Sequence, residues 1–277
     1  MHITITKEIT KILKLDYLKF FLFLSLSFIP IALITGPFLP DLFCVIASIL
    51  FLIILFFEKK FNYYFKNPFV YFFFFWFFLI LICSLSSNYI LLSLESSLFY
   101  FRFFIMSLAF WYALDELKNF KKYFSIIFIL IYTFVLLDGY TQFFTGTNLI
   151  GFEHDLAAGS RISGVFNDKY VLGSYLSRTL PMVFALMFSL NTKSIFKIFM
   201  IVSLLIMTDV LIFITGERSA FFYLILSTIL IIFLINSWKK TRIISFAISL
   251  ILILVISLNF KETRVRMLDK TINQIYL

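Results

Sequence analysis

Long apolar runs alternate with short polar segments along most of this chain. A helix needs roughly 20 mostly apolar residues to cross the hydrocarbon core of a membrane. By this measure the pattern predicts nine transmembrane helices, near residues 20–36, 41–57, 69–86, 96–114, 123–140, 171–190, 197–215, 219–236 and 243–259. The segments between the runs, such as "GPFLPD" and "EKKFNYYFKNP", contain the Gly, Pro or charged residues that end helices. We therefore expect an all-α polytopic membrane protein, with a single integral membrane domain over residues 1–277.

The composition supports this fold class and excludes a soluble domain. Hydrophobic residues make up 62% of the 277 residues, and only 14% are charged, whereas soluble domains carry roughly 25% charged residues. A transmembrane β-barrel would show short alternating segments in place of long apolar runs.

Cys44 and Cys83 lie in apolar runs, without the polar neighbours of metal or redox sites. No phosphate-binding loop or metal-ligand spacing occurs either, so we expect no cofactor and no metal.

The positive charges predict an orientation in the membrane. Cytoplasmic connections of membrane proteins carry an excess of Lys and Arg. Alternate connections of this chain carry most of these residues: Lys7, Lys11, Lys14, Lys19, Lys59, Lys60, Lys66, Lys118, Lys121, Lys122, Lys193, Lys197, Lys239, Lys240 and Arg242. The opposite connections hold Arg161, Lys169 and Arg218. We therefore expect a cytoplasmic N-terminus and an external loop over 140–170, which in a bacterial inner membrane faces the periplasm. The net charge of +9 thus indicates topology, and we expect no nucleic-acid partner.

The segment after the ninth run departs from this pattern. It should lie outside, yet it carries Lys261, Arg264, Arg266 and Lys270. Either one run has been miscounted, or residues 260–277 are the start of a larger external loop, since long external segments cross the membrane regardless of charge.

Ionisable residues inside the apolar runs indicate where a site lies. They are Arg102, Asp138, Arg178, Asp209 and, at the start of a run, Arg218. Each is expected to face protein or water, because insertion of Arg or Asp at a helix centre costs roughly 2.5–3.5 kcal/mol. In the predicted orientation all of them lie in the outer halves of their runs. Together with Arg161 these arginines predict an external anion pocket, because guanidinium groups bind phosphate through two parallel hydrogen bonds. Alternatively, Asp138 and Asp209 pair with Arg102 or Arg178 and only hold the helices together.

Two polar stretches flank this predicted pocket. In "RISGVFNDKYVLGSYLSRTLP", Gly164 permits a tight backbone path, and Asn167 or Asp168 is a candidate cap for the following helix. A phosphate could also approach the N–H groups at that helix start. In "ITGERSAFFYLIL", Gly216 ends one run and Arg218 begins the next.

These stretches resemble motifs of the bacterial O-antigen ligase and polysaccharide polymerase family. "RISGVFNDKYVLGSYLSRTLP" is similar to its Arg-x-x-Gly-x-Phe-x-Asn/Asp signature, "TGERSAFF" to its Gly-Ser-Arg element, and "YTQFFTGTNLIGF" to its upstream Gln-x-x-x-Gly segment. The resemblance implies a GT-C-like membrane glycosyltransferase that works without metal at the periplasmic face. Its donor would be undecaprenyl-pyrophosphate-linked glycan, and its acceptor lipid A-core, another repeat unit or protein.

The resemblance also assigns residues. Arg161 and Arg218 match the two family arginines that bind the pyrophosphate. Around them we expect supporting residues: Arg102, Arg178, Asp138, Asp209, Gly164 and Asn167. The family's catalytic histidine lies in a large external loop, which here would follow Leu277. The chain is thus expected to be the N-terminal part of a longer enzyme, with His154 an ordinary loop residue.

Two other functions remain open from the sequence. The first is a non-catalytic carrier or flippase of lipid-linked glycan, which should carry cationic residues through the inner half of the membrane. The second is a structural or assembly subunit, in which the outer arginines only hold helices together.

Overall fold

A computed structural model describes residues 2–153, 161–189 and 195–269 of the chain. Within these residues the only repetitive structure is helical, apart from an isolated antiparallel bridge between Thr147 and Glu153. The α-helices of the described ranges are α1 (His2–Ala32), α2 (Phe38–Glu58), α3 (Phe61–Phe65), α4 (Pro68–Leu85), α5 (Ile90–Leu98), α6 (Phe101–Glu116), α7 (Phe120–Thr145), α8 (Leu172–Ser189), α9 (Ile195–Ile214), α10 (Arg218–Leu234), α11 (Lys239–Asn259) and α12 (Lys261–Arg264). The predicted all-α fold class is confirmed.

Most of the predicted apolar runs match these helices closely. The run 20–36 differs, since α1 begins at His2 and ends at Ala32, and the run 96–114 is divided, since α5 ends at Leu98 and α6 begins at Phe101. Six described segments are long and apolar enough to cross a membrane: Leu15–Ala32, Phe38–Glu58, Pro68–Leu85, Ile90–Glu116, Phe120–Thr145 and Lys239–Asn259. Two apolar helices, Ile198–Ile214 and Arg218–Leu234, are shorter. The chain thus has the helices of a polytopic membrane protein, and nine crossings stay a prediction.

The chain divides into two compact units, and the boundary between them along the chain falls within α7, between Phe124 and Ser125. In the first unit α1 packs against α2, α2 against α6, and α4 against α5. Its centre contains three buried aromatic side chains, Phe51, Tyr64 and Tyr112, whose ring centroids are 5.7–5.8 Å apart. The single integral membrane domain predicted from the sequence stays a prediction.

Helix α4 of the first unit has the surface of a lipid-facing helix. Asn67 caps its start by accepting a hydrogen bond from the backbone N–H of Val70, and Pro68 occupies the first helical position. Only Val70 and Ser84 of this helix are buried, whereas most of its large apolar side chains are exposed, Trp76 among them. Such a long exposed apolar surface belongs in hydrocarbon, because soluble proteins rarely leave one open to water.

Four helices form the second unit's core. Helix α8 packs against α9 and α10, while α11 packs against α9 and α10. Gly173 lets α8 approach closely, since a Cβ atom there would lie 2.5 Å from Thr215 Oγ1 and 3.1 Å from Ala220 Cβ. The start of α8 therefore lies directly against the turn that joins α9 to α10.

Candidate anion-binding site

The turn from α9 to α10 is the centre of the candidate site. Helix α9 ends at Ile214 and α10 begins at Arg218. Gly216 between them has a φ of 72°, in the left-handed region that favours glycine. Glu217 then has extended backbone angles. This sharp turn directs the side chain of Glu217 towards α8.

The Glu217 carboxylate caps the start of α8. Oε1 accepts a hydrogen bond of 2.8 Å from the backbone N–H of Gly173. Oε2 accepts bonds from Ser174, one of 3.2 Å from the backbone N–H and one of 2.8 Å from the hydroxyl. A carboxylate is stabilised there because the N–H groups at a helix start lack partners within the helix. The anion at this helix start is thus one of the chain's own carboxylates.

This cap corrects the prediction for Asn167 and Asp168. Helix α8 begins at Leu172, five residues after Asn167. Asn167 lies in a turn with a φ of 52° and directs its exposed amide towards Asp168, at 3.4 Å. The prediction that Asn167 or Asp168 caps this helix is wrong, because a residue distant in sequence supplies the acceptor.

Arg161 is held beside the start of α8 by Tyr170. Its Nη2 donates a hydrogen bond of 3.1 Å to the carbonyl of Tyr170. Its guanidinium carbon lies 4.8 Å from the centre of the Tyr170 ring, within the range of a cation–π contact. Its Nε is buried and has no hydrogen-bond partner among the described residues.

Arg266, from the segment after α11, lies against the same turn. Its Nε donates a hydrogen bond of 3.0 Å to the carbonyl of Gly216. A Cβ atom on Gly216 would lie 2.7 Å from Cδ of Arg266 and 3.7 Å from Cγ of Arg161. Two arginines from different segments therefore fill the space that glycine leaves open.

Arg218, the first residue of α10, completes the arginine cluster, by which we mean Arg161, Arg218 and Arg266. Burial, and then the positive charges of Arg161 and Arg218, lower the pKa of Arg266, while Glu217 acts in the opposite direction. Both arginines predicted from the sequence thus lie close enough to Arg266 to affect its pKa. The third, Arg266, was noted in the sequence only as one of the positive charges on a segment that the predicted topology places outside.

A second set of contacts fixes the loop that carries Arg161. Asp138 and Gln142 lie one turn apart on α7, and both are buried. Asp138 accepts hydrogen bonds from the Leu149 N–H, at 3.0 Å, and from the Asn148 amide, at 3.4 Å. Gln142 Oε1 accepts bonds from two backbone N–H groups of the loop, Ser163 at 3.1 Å and Gly164 at 2.7 Å. These two side chains anchor the loop to α7.

These contacts decide the roles of Asp138 and Gly164. The partners of Asp138 are loop groups, so the alternative in which it pairs with Arg102 or Arg178 is wrong. Gly164 has a φ of 55°, and a Cβ atom there would lie 3.0 Å from Asp138 Oδ2. Gly164 therefore packs against α7. The sequence contained a signal for this anchor, because two buried polar residues spaced four apart lie on one helix face.

Asp209 has a partner that the sequence did not predict. Arg242 Nη1 and Nη2 donate hydrogen bonds of 2.9 and 3.0 Å to its two carboxylate oxygens. Ser249 donates a third bond, of 2.9 Å, and Arg242 also contacts Thr228. Both charged side chains are 0% exposed. Pairing of Asp209 with Arg102 or Arg178 is therefore wrong.

Arg242 also corrects the predicted distribution of charge. The sequence placed it in a polar cytoplasmic segment, yet it is the fourth residue of α11 and fully buried. Asp209 is the residue that compensates this buried charge.

The remaining expected residues have other partners. Arg102 Nη2 lies 2.9 Å from Oδ2 of Asp41, within the first unit. Arg178 is exposed, with its guanidinium carbon 5.6 Å from the centre of the Tyr223 ring. The described contacts of these arginines therefore give neither a role at the α9–α10 turn.

Metal and histidine chemistry receive no support from the described residues. No group of three or more His, Cys, Asp or Glu side chains lies together among residues 2–153, 161–189 and 195–269. His154 lies outside these ranges.

Comparison of the chain with protein-family models, with curated proteins and with solved structures gives no match in any of the three. The resemblance to O-antigen ligases thus stays a prediction from motifs.

Proposed function

We propose that this chain is a membrane glycosyltransferase of the O-antigen ligase or polysaccharide polymerase kind. It binds a glycan linked to undecaprenyl pyrophosphate at the periplasmic face of the bacterial inner membrane. The glycan passes to lipid A-core, to another repeat unit or to protein. The observation that carries the proposal is that Arg161 and Arg266 both lie against Gly216, two residues before Arg218.

The charge of the cluster suits a diphosphate. Between them, the three guanidinium groups of the cluster and the carboxylate of Glu217 carry an excess of two positive charges. A diphosphate diester carries two negative charges, so it would neutralise this excess. Guanidinium groups also match phosphate oxygens in geometry, since each can donate two parallel hydrogen bonds.

The same groups would act in the transfer step. When the acceptor hydroxyl attacks the sugar's anomeric carbon, its oxygen bonds to that carbon and its proton is released to water, while the bond from the carbon to the diphosphate oxygen breaks. Negative charge then develops on the departing lipid diphosphate. Cations that are already held in place stabilise this charge without reorganising during the reaction. The anchor on α7 holds the loop of Arg161 in this way.

The buried Arg242 bears on the alternative that this chain is a carrier of lipid-linked glycan. Arg242 is a buried cation in α11, and a carrier of an anionic lipid would require cations along its path. However, both Nη atoms of Arg242 are bound to Asp209. That geometry is typical of a pair that holds helices together, because a substrate phosphate would have to displace the carboxylate.

The test is donor binding by the purified full chain in lipid nanodiscs. Farnesyl diphosphate serves as a short lipid diphosphate, and the dissociation constant is measured by calorimetry. We expect Arg161→Ala and Arg218→Ala each to weaken binding about ten- to a hundredfold, since a hydrogen bond to a charged group contributes roughly 1.5–3 kcal/mol.

The matched control is Lys169→Ala, which removes one positive charge from the same external loop. Lys169 is exposed, so its loss should leave binding within about twofold, as surface charges contribute little. The thermal midpoint of each variant shows whether the fold is kept. Equal binding by wild type and both arginine variants, with the fold intact, would overturn the proposal.

A further inference from the structure

A pocket of about 470 Å³ lies in the first unit, where α2 ends and α3 begins. We call it the Lys59 pocket, and the residues that line it are Phe56, Phe57, Lys59, Phe61 and Asn62. Its three phenylalanine side chains are 39–73% exposed. Helix α2 is long and apolar enough to cross a membrane, and it ends at Glu58. A pocket at this end of α2 therefore lies at the level where hydrocarbon gives way to lipid headgroups.

The backbone turn at Lys59 ends α2. Lys59 has a φ of 55° and a ψ of 30°, and its N–H donates a hydrogen bond to the carbonyl of Leu55. This left-handed conformation is common just after a helix, where the residue is usually glycine or sometimes asparagine. The turn itself therefore does not require a lysine, and the side chain at this position adds a positive charge to the lining of the pocket.

The carboxylate next to Lys59 is paired with other lysines. Glu58 lies 2.7 Å from Nζ of Lys19 and 3.5 Å from Nζ of Lys60. Nζ of Lys60 also lies 2.6 Å from Oε1 of Glu116. Within residues 2–153, 161–189 and 195–269, no hydrogen bond or ion pair involves the side chain of Lys59. Its charge is therefore not offset by a carboxylate of the described chain.

The lining of the pocket combines an apolar and a polar part. The phenyl rings suit the glycerol and the first methylene groups of a lipid, since aromatic side chains bury a large apolar area. The ammonium group of Lys59 and the amide of Asn62 can donate hydrogen bonds to phosphate oxygens. A free phosphate ion would leave the phenyl rings uncovered, whereas a phospholipid would contact both parts.

We propose that the Lys59 pocket binds an anionic phospholipid, with its phosphate at Lys59 and Asn62 and its glycerol against the phenylalanines. A lysine near the membrane surface attracts lipids whose headgroups carry net negative charge. The pocket therefore prefers phosphatidylglycerol over phosphatidylcholine, because the choline group of the latter cancels the charge of its phosphate. This site does not depend on donor binding by the arginine cluster of the second unit.

The test compares two lysines at the two ends of α3. Lys59→Asn removes the charge and keeps a residue that tolerates the left-handed turn. Lys66→Asn is the matched control, because Lys66 directly follows α3, is exposed and is not among the residues that line the pocket. The full chain is titrated in detergent micelles with phosphatidylglycerol or with phosphatidylcholine of the same acyl chains. Native mass spectrometry gives the dissociation constant of the first bound lipid.

We expect Lys59→Asn to weaken phosphatidylglycerol binding about fivefold and to leave phosphatidylcholine binding within about twofold of wild type. Lys66→Asn should bind both lipids within about twofold of wild type. Lys59→Arg keeps the charge and should keep the preference for phosphatidylglycerol. Phe61→Ala should weaken the binding of both lipids by a similar factor, because the two lipids share the parts that the ring contacts.

The thermal midpoint of each variant shows whether the fold is kept. If Lys59→Asn does not fold, Lys59→Gly gives the same comparison, since glycine also adopts the left-handed conformation. Equal loss of phosphatidylglycerol in the Lys59 and Lys66 variants would show a general attraction by surface lysines and would overturn the pocket as a site. Unchanged binding in the Lys59 variant, or equal affinity of wild type for the two lipids, would overturn it as well.

Discussion

Arg242 and Asp209 form a two-pronged ion pair in which neither side chain is exposed. The two residues lie on different helices, α11 and α9. Ser249 donates a further hydrogen bond to Asp209, and Arg242 also contacts Thr228, whereas Nε of Arg242 has no hydrogen-bond partner among the described residues. Neutralisation by a partner is what allows charged groups to remain inside helices of this apolar character.

The pair should therefore matter more when it is broken than when it is removed. Arg242→Met or Asp209→Leu alone leaves a buried charge without its partner, and we expect each to lower the free energy of unfolding by about 3–5 kcal/mol. The double variant replaces both charges by apolar groups, so it should be closer to wild type than either single variant. Unfolding in mixed detergent micelles measures all three. If the double variant lost as much free energy of unfolding as the two single variants together, the pair would not stabilise the fold in this way.

Removal of the Glu217 carboxylate should have opposite effects on the stability of the fold and on the affinity for diphosphate. In Glu217→Ala the N–H groups of Gly173 and Ser174 lose their acceptor, so we expect a loss of about 1–3 kcal/mol in the free energy of unfolding. Loss of its negative charge should at the same time strengthen diphosphate binding by the folded protein. Glu217→Gln keeps an acceptor and should be less unstable. Weaker diphosphate binding in both variants would indicate that Glu217 positions the arginines instead.

The anchor on α7 should control the position of Arg161. In Gln142→Leu the N–H groups of Ser163 and Gly164 lose their acceptor, which should cost about 1–3 kcal/mol. We also expect faster amide hydrogen exchange over residues 162–166 and weaker diphosphate binding. Gln142→Glu retains an acceptor oxygen and is the matched control. Unchanged exchange in the leucine variant would show that other contacts hold this loop.

The predicted orientation can be tested with two exposed lysines. In a background of Cys44→Ala and Cys83→Ala, we expect Lys169→Cys to react with a membrane-impermeant maleimide in intact cells whose outer membrane has been opened. Lys118→Cys should react only after the inner membrane is permeabilised, because the excess of Lys and Arg places its segment in the cytoplasm. The opposite labelling would place Arg161 and Arg218 in the cytosol and would overturn the proposed function.

The sequence predicted most of the helices because hydropathy is a local property. A run such as 243–259 is long and apolar whatever it packs against, and it lies within α11. The local sequence also indicated Gly216 and Arg218. A glycine between two apolar runs predicts a turn, and the arginine two residues later places a positive charge at the start of the next helix. The divided helix at 96–114 escaped detection, because Phe99 and Tyr100 between α5 and α6 include no Gly, Pro or charged residue to mark the break.

By itself, then, the sequence determined the class of protein, the helical segments and the polar stretches that hold Arg161 and Arg218. Only the tertiary structure decided which residues meet. Arg242 lies 33 residues from Asp209, Gly173 lies 44 from Glu217, and Arg266 lies 50 from Gly216. The physical reason is that such contacts depend on how separate helices pack, and no local pattern of hydrophobic and polar residues records that arrangement.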